Sequence, residues 1–157
     1  MKYIIEFRKT GVMCFTSHLD IMKVFKRSFK RDGIKLAYSQ GFNPHPKMGF
    51  AQPLSLGYEG LSEFIEFETA KEYDAEGEGG ASAAEGILET MRGMMPEGLE
   101  LLAIKEAPEM KKTLAAMTYA ADYIVEIPAE GTAFPDAETI YERYMGQEHI
   151  YALKKQK

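Results

Sequence analysis

Prolines at 44 and 46 constrain this chain more than any other feature. Each ring locks φ at about −65° and removes a backbone donor, and each pushes the residue before it toward extended geometry. His45, between them, therefore sits on a stiff segment that continues neither a helix nor an ordinary sheet ladder. Gly41 permits a backbone conformation closed to other residues. Ser39, Gln40, Asn43 and Lys47 place donors and acceptors around it. The sequence thus predicts a rigid polar loop from Tyr38 to Lys47, and the chain on either side must be read as separate elements.

Ahead of the loop, residues 2–8 alternate, with Tyr3, Ile5 and Phe7 on one face and Lys2, Glu6 and Arg8 among those on the other. That period of two predicts a strand with one buried face. Lys9-Thr10-Gly11 turns the chain. Ser17 stands three residues before Asp20, a capping-box-like pattern, and predicts a helix to about Arg31 with Gly33 past its end. Ile21, Met22, Phe25 and Phe29 form its apolar stripe. Lys23, Lys26, Arg27, Lys30 and Arg31, spaced i, i+3, i+4, i+7 and i+8, form a five-cation arc opposite. His18 falls in the first turn, near the Phe25 and Phe29 side.

A short strand is predicted at Ile34–Tyr38, before the loop. A turn-rich run through Leu54 and Gly57 comes next, then a strand at 61–68 whose Leu61, Ile65 and Phe67 share a face. Residues 71–80 are acidic and glycine-rich and read as a surface connection. A second helix is predicted over 81–95, with Ile87, Leu88, Met91 and Met94 inward, stopped by Pro96-Glu97-Gly98. Strands are expected near 99–105 and 118–127, a helix near 135–145 between Pro135 and Gly146, and a last strand at 148–154. The order β-α-β-β-α-β predicts an α+β fold, a ferredoxin-like split βαβ sandwich, over residues 1–107. Residues 108–157 read as the start of a second similar unit packed on the first and cut short.

Composition narrows the function classes. The single cysteine, Cys14, excludes an intramolecular disulfide and any multi-cysteine metal site built from this chain alone, and it fits a reducing compartment. No apolar run approaches the roughly 20 residues of a membrane span, so the expectation is a cytoplasmic protein with no membrane contact. The net charge of −5 argues against nucleic acid, but its distribution does not. Residues 1–50 carry ten Lys/Arg against three Asp/Glu, and residues 51–157 carry nine against 21. Either the two halves neutralise each other in the fold or one face attracts an anion.

Several candidate sites stand out. The arc, with Lys35 and Lys47, suits electrostatic capture of a phosphate backbone; the plainer reading is a solvated helix face. Tyr38 and Phe42 can stack on unpaired bases, although aromatics of a small domain more often lie in its core. His18 is open to three readings: a core histidine satisfied by a carbonyl, a proton-transfer group, or a ligand contact. If His18 and His45 meet beside Lys47, two imidazoles and a cation suffice for metal-free cleavage of RNA. A metal site from Cys14, His18 and His45 matches no familiar ligand spacing, and the chain carries no phosphate-loop, dinucleotide or nucleophile-elbow motif. No metal or cofactor is expected.

Three runs carry a family likeness: Ser17-His18-Leu19-Asp20, Ala37 through Lys47, and Pro53-Leu54 with Leu56-Gly57. Together they resemble the radical SAM-linked protein family, a domain of unknown function found fused to or beside cobalamin-binding-type radical SAM proteins. The resemblance spans residues 2–70 and extends more loosely to Met95-Pro96-Glu97-Gly98-Leu99. It implies a radical SAM protein as partner. The chain lacks the three-cysteine cluster motif, so the resemblance does not make it the radical enzyme itself. In outline only, the arrangement is similar to CRISPR repeat-processing endoribonucleases, a likeness at fold level. The expectation is an RNA-binding or substrate-presenting accessory module for a radical SAM enzyme that modifies tRNA or rRNA. Ser17, Asp20, Ser39, Gln40, Gly41 and Asn43 would form its loop site. The alternatives are a metal-independent endoribonuclease using His18 and His45, and an adapter docking on the radical SAM partner.

Overall fold

The computed structural model describes residues 1–70, 82–108, 110–126 and 135–147. The first strand, β1 (Lys2–Lys9), follows the predicted alternation and buries Tyr3, Ile5 and Phe7. A 3₁₀ turn (Gly11–Phe15) leads into α1 (His18–Arg31). The N-cap works as the sequence suggests: the Ser17 hydroxyl accepts from the Asp20 amide at 3.2 Å, satisfying one orphan donor of the first turn. Next come β2 (Met48–Phe50), β3 (Gly60–Glu68), α2 (Ala83–Arg92) and β4 (Leu99–Glu106). A full capping box between Ser82 and Glu85 opens α2.

The sheet runs β2-β3-β1-β4, with every neighbouring pair antiparallel. One helix connects β1 to β2 and the other β3 to β4, so the chain is an α+β sandwich of ferredoxin-like type. Ile21, Phe25 and Phe29 of α1 and Ile87 and Met91 of α2 pack on Tyr3, Ile5, Phe7, Ile65 and Phe67. Phe29 lies 4.5 Å from Phe67, and Phe7 lies 5.2 Å from Phe25 edge-on, a geometry that ring quadrupoles favour.

Five expectations are corrected. Ile34–Tyr38 form no strand, only isolated bridges from Leu36 to Thr69 and from Tyr38 to Pro46. The second strand comes after the proline loop instead, because Met48–Phe50 hold the β3 edge opposite Ile65 to Phe67. Leu61 is 54% exposed, not inward, since a register shift between Phe7 and Lys9 sets Gly60 opposite Lys9 and Glu63 opposite Phe7. Met94 is exposed because α2 ends at Arg92 and Gly93 caps it. Tyr38 and Phe42 are exposed, not core. Finally, residues 118–126 form no strand. A strand needs a ladder partner, and the one expected at 148–154 lies outside the described residues.

The chain divides into two compact units, Met1–Ala121 and Asp122–Lys157. The first also holds α3 (Leu114–Met117), which lies against β2 and β3. The second holds α4 (Ala137–Met145), capped by Asp136, whose carboxylate accepts from the Thr139 amide at 2.9 Å. Among the described residues no helix is long and apolar enough to cross a membrane.

Candidate functional site

The proline loop is a braced finger. At its neck the Ser39 amide donates to the His45 carbonyl at 2.8 Å, and the His45 amide donates to the Ser39 hydroxyl at 3.0 Å. The Lys47 amide donates to the Ala37 carbonyl at 2.8 Å. Gly41 adopts φ 134°, which other residues rarely reach, and this turns the chain at the tip. Phe42 there is fully exposed, and Gln40, Asn43, Pro44 and His45 are exposed around it. Lys47 leaves the finger and ion-pairs with Glu68 at 2.8 Å.

The five cations of α1 do not share one environment. Lys23 is held by Asp20 at 2.8 Å, and the Ser17 hydroxyl donates to the other Asp20 oxygen at 2.7 Å. The Lys23 hydrogen bond first, and Ser17 second, keep the Asp20 carboxyl below its ordinary range. Arg31 donates to the Met94 carbonyl at 3.0 Å, which ties α1 to the end of α2. Lys26, Arg27 and Lys30, with Lys35 beyond the helix, are exposed and have no ion pair among the described residues.

His18 belongs elsewhere. It is half-buried and lines a cleft under the start of α1 with Lys9, Gln52 and Glu63. The cleft's apolar walls are Phe7, Ile21, Phe50 and Leu54. The cleft is small, about 10 Å³, with room for one water-sized group. Lys9 is 1% exposed and donates to the Cys14 carbonyl at 3.3 Å. Burial pushes the Lys9 ammonium down and the Glu63 carboxyl up from their ordinary values. Glu63 folds back over Gly60, where an added Cβ would meet its Cγ at 2.5 Å and its Oε1 at 2.8 Å. Glycine at 60 is what makes room for that carboxylate.

Strand register separates the two histidines. His18 shares its cleft with Glu63, whereas the base of the His45 finger hydrogen-bonds to Glu68. Four residues of β3, Phe64 to Phe67, lie between these two contacts, about 17 Å of strand. Among the described residues no group of three or more His, Cys, Asp or Glu is placed to hold a metal ion. Lys9, Gln52 and Glu63 were not singled out from the sequence, although two of them carry a signal there. Lys9 is in phase with Tyr3, Ile5 and Phe7, and Glu63 with Ile65 and Phe67. A charge at an inward strand position is rare without a purpose.

Topology and surface together define a class: a ferredoxin-like α+β protein that presents a cationic helix face, an aromatic-tipped finger and a small polar cleft. The chain belongs to the family described as uncharacterized protein conserved in bacteria (DUF2344), whose model matches residues 2–157. No curated protein and no solved structure matches it.

Proposed function

We propose that the chain is an RNA-binding, substrate-presenting accessory module that works beside a radical SAM enzyme modifying tRNA or rRNA. The observation that carries the RNA reading is the exposed row Lys26, Arg27 and Lys30, without ion pairs among the described residues. Cations already neutralised by carboxylates release no counterions from a nucleic acid, whereas free ones do. Phe42 and Tyr38 add the second requirement, aromatic faces open to an unpaired base on a loop too stiff to fold away. The radical SAM partner rests on the family resemblance alone, carried by the Ser17–Asp20 and Ala37–Lys47 runs and by Pro53-Leu54 with Leu56-Gly57. In this reading the arc holds phosphates and the finger reads a local feature.

Binding to tRNA and rRNA fragments should fall steeply as salt is raised. The double variant Arg27→Glu/Lys30→Glu should weaken it at least about tenfold at low salt and shallow the log–log slope by roughly 0.7 for each phosphate no longer neutralised. Salt-insensitive binding, or none, would end the RNA reading. The same row would also serve an adapter that docks on an acidic patch of the partner enzyme. Co-purification with that enzyme, unchanged by nuclease treatment, would favour docking. The endoribonuclease alternative needs His18 and His45 at one phosphate; incubation with RNA in the absence of metal tests it, and a lack of cleavage that depends on these histidines removes it.

A further inference from the structure

The cleft beneath the start of α1 has no part in phosphate capture by the arc or in base stacking by the finger. We propose that it takes the lactam edge of a nucleobase, a ring carbonyl beside a ring N–H, with Lys9 donating to the carbonyl and Glu63 accepting from the N–H. The inference rests on the RNA-binding reading only for the source of the base.

The two charged groups of the cleft are buried to different degrees. Lys9 is 1% exposed, with one hydrogen bond, to the Cys14 carbonyl, engaging one of its three protons. Glu63 is half-buried, and among the described residues no ion pair joins the two. A buried ammonium with protons to spare, facing a carboxylate it does not touch, leaves a gap that a donor–acceptor group fills. The cleft has room for one oxygen-sized group. Only an atom that protrudes from a ring can reach it, so an exocyclic carbonyl oxygen fits where a ring nitrogen does not.

The neighbouring ring atom then decides between bases. In uracil, hypoxanthine and guanine it carries a proton that Glu63 accepts. In cytosine the ring nitrogen beside the carbonyl is an acceptor and meets the carboxylate badly. In adenine the protruding group is an amine, which faces the Lys9 ammonium donor to donor. Phe50 and Leu54 form the apolar wall against which the ring rests, and His18 borders the same opening. Gly60 keeps the Glu63 carboxylate in place, since a side chain there would displace it.

Free nucleosides test this on the full chain, with amide chemical shifts as the readout. Uridine, inosine and guanosine should shift the amides around Gly60, Glu63 and His18 at millimolar concentration, with adenosine and cytidine at least about tenfold weaker. Glu63→Gln should erase that preference, because an amide both donates and accepts. Gly60→Ala should weaken the lactam nucleosides while the protein stays folded by circular dichroism. Equal shifts from adenosine, no shifts from any nucleoside, or an unchanged preference in Glu63→Gln would overturn it. Nucleosides carry no phosphate, so their binding should not depend on salt; loss of RNA binding in Arg27→Glu/Lys30→Glu leaves this result untouched, and the reverse holds too.

Discussion

At the scale of single residues, charge placed where the fold wants apolar atoms marks both function and cost. Lys9 and Glu63 are one case, and the cleft they share gives them a use. Asp32, the C-cap of α1, is another. Its side chain is 1% exposed, neither carboxylate oxygen has a hydrogen-bond partner, and Arg31 approaches only to 4.0 Å. Burial raises its carboxyl above the ordinary range, and Arg31 offsets part of that. A carboxyl raised in the folded state binds more protons folded than unfolded, so its contribution to stability is largest at low pH. That contribution is lost as pH climbs from the ordinary carboxylate value through the raised one. Asp32→Asn should therefore stabilise the protein at pH 7, by on the order of 1 kcal/mol, and the gain should vanish near pH 4. Urea unfolding midpoints at the two pH values check this; an equal effect at both would assign the cost to hydrogen bonding and not to ionisation.

Elements were legible in the sequence to the degree that their signals were local. α1 announced itself through Ser17, its two stripes and Gly33, and it runs from His18 to Arg31. The strand at 34–38 failed because its apolar residues compete for one sheet edge with Met48–Phe50, and nothing within either segment says which wins. Leu61 failed for a related reason: a bulge is a property of two strands, and the alternation of one does not record it. The site divides in the same way. Cation spacing on a helix is local and was readable, whereas the His18 cleft needs β1, α1, β2 and β3 together. Two glycines flanking Pro96 show how much one element end depends on another. Gly98 adopts φ 84°, and a Cβ there would lie 2.5 Å from the Thr10 carbonyl, while the Thr10 amide donates to the Gly98 carbonyl at 2.8 Å. Gly93, the C-cap of α2, has φ −65° and no described atom within 4 Å of an added Cβ. Gly98→Ala should cost about 2–3 kcal/mol, whereas Gly93→Ala should be neutral or stabilise by a few tenths. Paired denaturation curves decide it, and equal costs would show that β4 does not lean on the turn after β1.

Over the whole molecule, the position of the core sets where the chain can be cut. Among the described residues the buried apolar ones run from Tyr3 to Leu101, all within the unit Met1–Ala121. The segment after β4 still serves that unit. The Ala107 amide donates to the Lys2 carbonyl at 2.8 Å, and the Lys2 ammonium, ion-paired with Glu66 at 2.9 Å, also reaches the Lys112 carbonyl at 3.3 Å. α3 then lies against β2 and β3. A fragment ending at residue 121 keeps this strap whole, whereas one ending at 107 keeps only the Ala107 bond, loses the Lys112 carbonyl and α3, and opens the Lys2–Glu66 pair to water. The 1–121 fragment should unfold in one cooperative transition with the midpoint of the full chain. The 1–107 fragment should be less stable by roughly 1–3 kcal/mol, the cost of stripping cover from partly buried charges and strand faces. RNA binding separates the two halves of the charge distribution in the same experiment. Residues 122–157 carry seven Asp/Glu against four Lys/Arg, and every cation of the proposed arc lies before residue 50. Removing them takes negative charge away and leaves the arc whole, so 1–121 should bind RNA at least as tightly as the full chain at low salt. Weaker binding by a fragment that still folds would move the nucleic-acid contact out of the sandwich and into the second unit.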